Sequence, residues 1–397
     1  YEIVDCDWSS DVCSSDLLEV ANVLAAHHRC NVRQALPDLA LLVNMYSNLG
    51  DFADLESALN FNPPQKPNLD SDGLLKIFGN LPKFPTDFYI ERGKLITHDG
   101  VDILEISWST GYGPRTQGYL LKPSGVTKKL PGVLFLHSHD DVKGFGKEKL
   151  IDGIGELPEE VSWVKRDHYG NRGAANALAK KGFAVLTFDC FMWGSRGITK
   201  EFIAKRLFEI LGRDDFEAAS IMHESMSLSK YLSLFGTTLA GLLNFDDRVA
   251  LEVAKLLPEI NGSISVVGLS GGGCRAIYLH ATSPELNAVV SVGAMATYKS
   301  MVPIHIAPHS WMFFPAGLAK FSDWPGLTMI NSATPLYLLF CGEDQLFTKE
   351  GMKEADSLIA QHFKEVKGEY KSDTYPVKHS FTVEMQESAF DWLVNHV

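Results

Sequence analysis

The sequence is poor in cysteine, in positive charge and in long apolar runs, and each shortage excludes something. Six cysteines among 397 residues, with no Cys-x-x-Cys pair, form neither a disulfide-stapled scaffold nor a zinc ribbon. Lysine and arginine number 36 against 49 aspartates and glutamates, a formal net charge of −13. A general nucleic-acid binder needs a basic footprint, so no such partner is expected. No uninterrupted apolar stretch reaches the roughly 20 residues that cross a bilayer, so no membrane span is expected either. What is there is ordinary globular material, 45% hydrophobic and 21% charged, with enough chain for one large domain or two modest ones.

The first seventeen residues stand apart. Tyr1 to Leu17 (YEIVDCDWSSDVCSSDL) has neither helical nor strand period and carries five acids, no base and two of the six cysteines. It resembles the in-frame translation of a sequencing-library adapter and is expected to be non-native. The first methionine is Met45, which leaves the native start open and makes residues 18–44 either native helix or translated upstream sequence. A signal peptide could precede the native start, so a cytoplasmic location is only the default expectation.

Residues 18–90 read as an N-terminal helical extension, broken at Pro37 and ending in a proline-rich turn at 62–67 (NPPQKP). A hairpin follows, with Lys94–His98 and Asp102–Ser107 joined at Asp99-Gly100, and Gln117–Lys122 makes a third extended run. From there strands alternate with helical patterns. Gly132–His137 (GVLFLH), Ala184–Asp189, Ile264–Gly268, Ala288–Val292 and Pro335–Phe340 (PLYLLF) are apolar strands, as expected where both faces are covered. Gly368–Ser372 is a last strand-like run. Helices are expected over Asn171–Lys181 and Gly271–Ala281, and in a final segment with Phe381, Met385, Ala389, Trp392 and Leu393 on one face. Residues 195–257 hold helical stretches without a strand and are expected to form a cap in part. This alternation predicts an α/β fold, a mostly parallel sheet with helices on both faces.

The sharpest motif is Gly268-Leu269-Ser270-Gly271-Gly272, a G-x-S-x-G that directly follows an apolar strand and opens a helix. That strand–turn–helix setting is what a nucleophile elbow requires, because glycines two residues either side let strand and helix approach closely. A serine hydroxyl is a weak nucleophile until a base takes its proton, and the base must itself be oriented. Asp344 lies just beyond the strand PLYLLF, and His379 lies between the last strand-like run and the final helix. The order Ser, acid, His and the placement at carboxyl ends of strands both suit such a site.

From about residue 90 onward the chain resembles the α/β-hydrolase superfamily, in particular its dienelactone-hydrolase-like and acetyl-xylan-esterase-like branch. The resemblance rests on FLHSHDD, FDCFMWGSR, GLSGGG, LFCGEDQLF and the run HSFTVEMQ into the last helix. It implies Ser270 as nucleophile, His379 as general base and acid, and Asp344 as the orienting carboxylate. It further implies an oxyanion hole made by the backbone N–H of Gly271 with that of His139, Asp140 being the second choice. Dienelactone hydrolases proper carry a cysteine nucleophile where this chain has Ser270, which directs the expectation to the esterase side. The implied activity is hydrolysis of short-chain, acetyl esters of carbohydrates or similar small molecules, with no cofactor and no metal.

Other readings remain open on the residues themselves. Glu343 competes with Asp344, and His305, His309, His362 and His396 compete with His379. His137, His139, Asp140 and Asp141 could form a metal cluster, making a metal-dependent hydrolase. A binding protein without catalysis on the same fold is the third possibility. Trp193 and Trp311, with Met295, Met312 and Asp140, could line a substrate pocket or belong to the core. Asp189 reads as a loop anchor, and Cys190, Cys274 and Cys341 as buried thiols. Nothing in the sequence speaks to oligomeric state.

Overall fold

The computed structural model describes residues 48–303 and 305–397; the segment 1–17 and the helix-prone 18–47 lie outside the described residues. Contacts divide the chain after Ala58. The described part of the first unit holds two short helical turns, Gly50–Phe52 and Leu55–Ala58. The second unit, Leu59–Val397, takes in the end of the stretch 18–90 read as a helical extension. The reason is burial: helix Ser71–Phe78, N-capped by the Asp70 carboxylate, inserts the fully buried Leu74 and Phe78 into the main core.

Nine strands build one sheet: β1 (Glu91–His98), β2 (Val101–Trp108), β3 (Thr116–Pro123), β4 (Leu130–Leu136), β5 (Ala184–Phe188), β6 (Ile260–Leu269), β7 (Val289–Val292), β8 (Leu336–Cys341) and β9 (Tyr370–Tyr375). Their order across the sheet is β1-β2-β3-β5-β4-β6-β7-β8-β9. β1 and β2 pair His98 with Val101 across Asp99 and Gly100, both at positive φ, the geometry for which Asp-Gly is suited. β1, β2, β3 and β5 are antiparallel neighbours; from β5 to β9 every pairing is parallel.

The apolar runs of the parallel strands split residue by residue between two cores. Leu134, Leu136, Val266, Leu338 and Phe340 face one side; Val133, Phe135, Val267, Leu339 and Cys341 face the other. The first face is covered by helices Leu239–Leu256, Gly271–Thr282 and Lys349–Val366. The second is covered by Glu159–His168, Ala174–Lys180 and the final helix Val383–Val394, whose expected stripe of Met385, Ala389, Trp392 and Leu393 is buried. Leu239–Leu256 therefore belongs to the sheet's cover. Only the stretch before it with helices Lys205–Leu211 and Phe216–His223 has a small core of its own, around Ile203, Leu207 and Ala219; the π-helical turn Glu224–Leu228 and helix Ser229–Leu234 turn Leu228 and Leu232 to the main core. Among the described residues no helix is long and apolar enough to cross a membrane.

Topology positions the site. The chain leaves β4 toward β5 on one side, then crosses back to β6 on the other, so the winding reverses between β4 and β6. Open parallel sheets bind ligands outside the carboxyl ends of the strands at such a point. Ser270 follows β6 and His139 lies in the loop after β4.

One buried and one half-buried histidine make stability depend on pH. Burial pushes the imidazoles of His280 and His309 down to about 4, although each donates to a backbone carbonyl, Thr334 O and Leu346 O. A folded-state pKa below the unfolded value near 6.5 means that the unfolded chain takes the proton first as pH falls. The stabilisation from neutral burial is complete above pH 6.5 and is lost progressively toward pH 4. At pH 5 each histidine costs about 2 kcal/mol relative to pH 7.5. Denaturant titrations at the two pH values should show His280→Gln, which keeps a donor for Thr334, losing about that much less than the wild type.

Candidate active site

Ser270 occupies a backbone conformation that side chains avoid, φ 57° and ψ −118°, between the last residue of β6 and the first of helix Gly271–Thr282. Such strain costs about 1–3 kcal/mol and persists only where the surroundings impose it. Here they do. A Cβ on Gly268 would stand 2.3 Å from the backbone carbon of Gly272, and one on Gly272 would stand 2.1 Å from the carbonyl oxygen of Leu136 in β4. The Ser270 N–H donates to Val292 O at 2.8 Å, which ties the elbow to the end of β7.

His379 and Asp344 meet where their strands end. The His379 Nδ1 lies 2.6 Å from Asp344 Oδ2, and Leu346 N–H donates to the other carboxylate oxygen at 2.9 Å. The Asp344 side chain is fully buried, whereas Glu343 is exposed. The imidazole edge rests on Gly293, the residue after Val292; a Cβ there would stand 3.3 Å from His379 Cε1. The ring thus lies next to the elbow, and its Nε2 is buried without a hydrogen-bond partner among the described residues. His168 fastens this loop twice: its ring nitrogen bonds His379 O at 2.9 Å and its carbonyl accepts from Phe381 N–H at 2.7 Å. Of the competing histidines, His309 bonds Leu346 O, His362 bonds Ser332 and His396 bonds Glu369.

The loop after β4 closes over the helix N-terminus. A Cβ on Gly271 would lie 3.1 Å from His139 N and 3.3 Å from Met312 Sδ, so two backbone amides and a thioether frame one small space. The His139 ring is largely buried, with Nδ1 3.2 Å from Asp141 and Nε2 3.9 Å from Glu224. Burial opposes its charged form, but the neighbouring carboxylates of Asp141 and Glu224 outweigh it, raising the pKa.

Asp140 and Trp193 serve the loop from behind. The Asp140 carboxylate turns inward to Ser138 Oγ, with Lys149 Nζ at 3.5 Å, instead of facing a pocket. Trp193 is 1% exposed and points its indole N–H at His139 O. His137 is held neutral by burial and by the charges of Arg275 and Lys149, with its rings' nitrogens on Ser138 O and toward Cys190 Sγ. His139 and Asp141 thus face each other while His137 and Asp140 turn to other partners, and no group of three or more potential metal ligands gathers among the described residues. Asp189 anchors a loop, accepting from Lys147 and from Ser195 N–H, and Cys190, Cys274 and Cys341 are buried free thiols.

Trp311 is about half exposed and lines a groove of about 800 Å³ with Phe314, Leu232, Ser225, Ser229 and Lys230. Trp311 belongs to the turn Trp311–Phe313, whose next residue, the buried Met312, is the one that reaches Gly271.

Several residues of the site escape sequence reasoning. Lys143, Lys147 and Lys149 would pass for a solvated charged face, yet all three are buried. Lys143 pairs with Glu224, Lys147 with Asp189 and Lys149 with Asp140. Three lysines in the seven-residue stretch 143–149, shortly after an apolar strand and a histidine pair, are the signal that could have marked them.

A mostly parallel sheet in this order, with a serine elbow after β6, is the α/β-hydrolase fold, and the chain is a carboxylic-ester hydrolase. Residues 163–392 match the model of the dienelactone hydrolase family, and the chain belongs to that family. No curated protein matches it in sequence. Among solved structures it is similar to a Bacteroides fragilis protein assigned as an acetyl xylan esterase, with 16% identity, 83% of each chain covered and a TM-score of 0.60. A glucuronoyl esterase from Solibacter usitatus is 12% identical over 81% of this chain and 91% of its own, TM-score 0.55. A promiscuous esterase from a marine bacterial metagenome is 14% identical over 85% and 100%, TM-score 0.54. At these identities the likeness is one of fold.

Proposed function

We propose that the protein hydrolyses short-chain esters, acetyl groups on carbohydrates or similar small molecules, through a Ser270–His379–Asp344 triad and an acyl-enzyme. The observation that carries this reading is the His379–Asp344 bond, with a buried, unpartnered Nε2 beside the strained Ser270 turn. His379 Nε2 takes the hydroxyl proton as Ser270 Oγ attacks the carbonyl carbon. The carbonyl oxygen becomes an oxyanion that accepts from the Gly271 and His139 amides; losing one such donor typically costs roughly 3–4 kcal/mol of transition-state stabilisation. The tetrahedral species expels the alcohol, which leaves with the proton from His379. Water then repeats the sequence on the acyl-enzyme, releasing the acid and restoring Ser270.

The saccharide part of the proposal draws on the names of the fold neighbours and on the groove that Trp311 lines. An aromatic platform at Trp311 with Ser225, Ser229 and Lys230 around it suits a sugar's apolar face and hydroxyl rim. The test is acetate release from acetylated xylo-oligosaccharides alongside p-nitrophenyl acetate. Trp311→Ala should raise KM for the oligosaccharide tenfold or more, and clearly less for the small ester. An enzyme that releases no acid from any ester sinks the proposal; equal changes on both substrates sink the role of the groove.

A further inference from the structure

The loop after β4 is gripped by one helical segment from the far side of the site. Glu217, in helix Phe216–His223, accepts from Gly144 N–H at 3.0 Å and also from the amide of Lys143. Seven residues on, and so on the same helical face, Glu224 opens the π-helical turn Glu224–Leu228. Glu224 is 3% exposed, and a carboxylate that deep must be paired. Its partners are three. Lys143 Nζ donates to Oε2, Ser310 Oγ donates to Oε1 at 2.7 Å, and His139 Nε2 lies 3.9 Å away, otherwise unpartnered.

Each partner leads to the same place. His139 carries one of the two amides at Gly271. Lys143 lies 3.5 Å from the centroid of the Trp193 ring, whose indole N–H points at His139 O. Ser310 caps the turn Trp311–Phe313, which holds Met312 Sδ against Gly271, and Tyr278 fixes the same turn by donating to Met312 O. One carboxylate contributed by a third segment therefore reaches both walls of the space over Gly271.

We propose that Glu224 is a positioning residue that sets the oxyanion hole, holding the His139 amide on one side and the Met312 turn on the other. The assignment rests on the serine-esterase reading above. Burial disfavours the Glu224 charge, but the Lys143 ammonium overrides this and holds its pKa well down, so the carboxylate stays ionised throughout the working pH range. Oxyanion stabilisation falls steeply with misplacement of a donor, whereas ground-state binding does not. The effect of losing Glu224 therefore belongs in kcat.

The experiment compares wild type, Glu224→Gln, Ser310→Ala and Lys143→Met on p-nitrophenyl acetate, with inhibition by a small alkyl boronic acid as a mimic of the tetrahedral intermediate. Glu224→Gln keeps volume and the Ser310 bond but removes the charge. The expected result is a 10- to 100-fold fall in kcat, KM within twofold, and boronate affinity weakened in parallel. Combining it with Lys143→Met should cost no more than the worse single variant, since both break one pair. Should Glu224→Gln fail to fold, Ser310→Ala, which leaves the charge paired, should still lower kcat and boronate affinity severalfold with KM unchanged. Unchanged kcat in the folded variants, or a loss confined to KM, overturns the proposal. A serine-directed phosphonate that fails to label Ser270 in the wild type would instead overturn the reading on which it rests.

Discussion

Replacing Ser270 by alanine should lower kcat on p-nitrophenyl acetate by roughly four to six orders of magnitude while leaving the thermal midpoint where it was. The size follows from the chemistry: without Oγ there is no acyl-enzyme, and only the oxyanion amides and substrate binding remain to assist water. The unchanged stability follows from the backbone. Alanine at φ 57° carries the same Cβ strain as serine, and the glycine contacts that impose the turn lie on either side of the substituted residue. Fluorophosphonate labelling supplies the second readout. Wild type should gain one phosphonyl group on the peptide containing Ser270, and the variant none. Residual activity above a hundredth of wild type, or labelling at another serine, would remove Ser270 from the nucleophile's role.

Asp344→Asn should cost about three to four orders of magnitude in kcat for a different reason. Both oxygens of Asp344 accept, one from His379 Nδ1 at 2.6 Å and one from Leu346 N–H at 2.9 Å. An asparagine oxygen can serve only one of them. If it serves the Leu346 amide, the NH₂ group faces His379 Nδ1 and forces the tautomer protonated at Nε2, which cannot take a proton from serine. Glu343→Gln, on an exposed neighbouring side chain, should stay within twofold of wild type. The reverse pattern, with Glu343→Gln inactive and Asp344→Asn active, would move the orienting role to Glu343. Kinetics of the two variants under identical conditions decide between them.

The alternation of apolar strands and helices was legible because strands covered on both faces have little choice of composition. β4, β6 and β8 show it, each sending successive side chains into opposite cores. The Asp-Gly hairpin and the elbow were legible for a related reason, since positive φ and close backbone approach leave few residue types eligible. Helix Glu159–His168 went unread because it buries little more than Val161 and Val164 on an otherwise charged surface. Trp193 and Asp140, read as pocket groups, turned out to support the loop from behind, as residue type says nothing of which way a loop faces.

What the sequence determined by itself is therefore local: the strand periods, the strained serine turn, and an acid and a histidine at strand ends in the right order. Tertiary structure alone decided which carboxylate faces His379, that three lysines beside the site are buried, and that Glu224, 81 residues beyond Lys143, closes the loop carrying His139. Steric demands on the backbone act between neighbours in sequence and leave their mark there. The pairing of buried charges acts between chain segments that meet only after the sheet has formed, so it leaves no spacing to read.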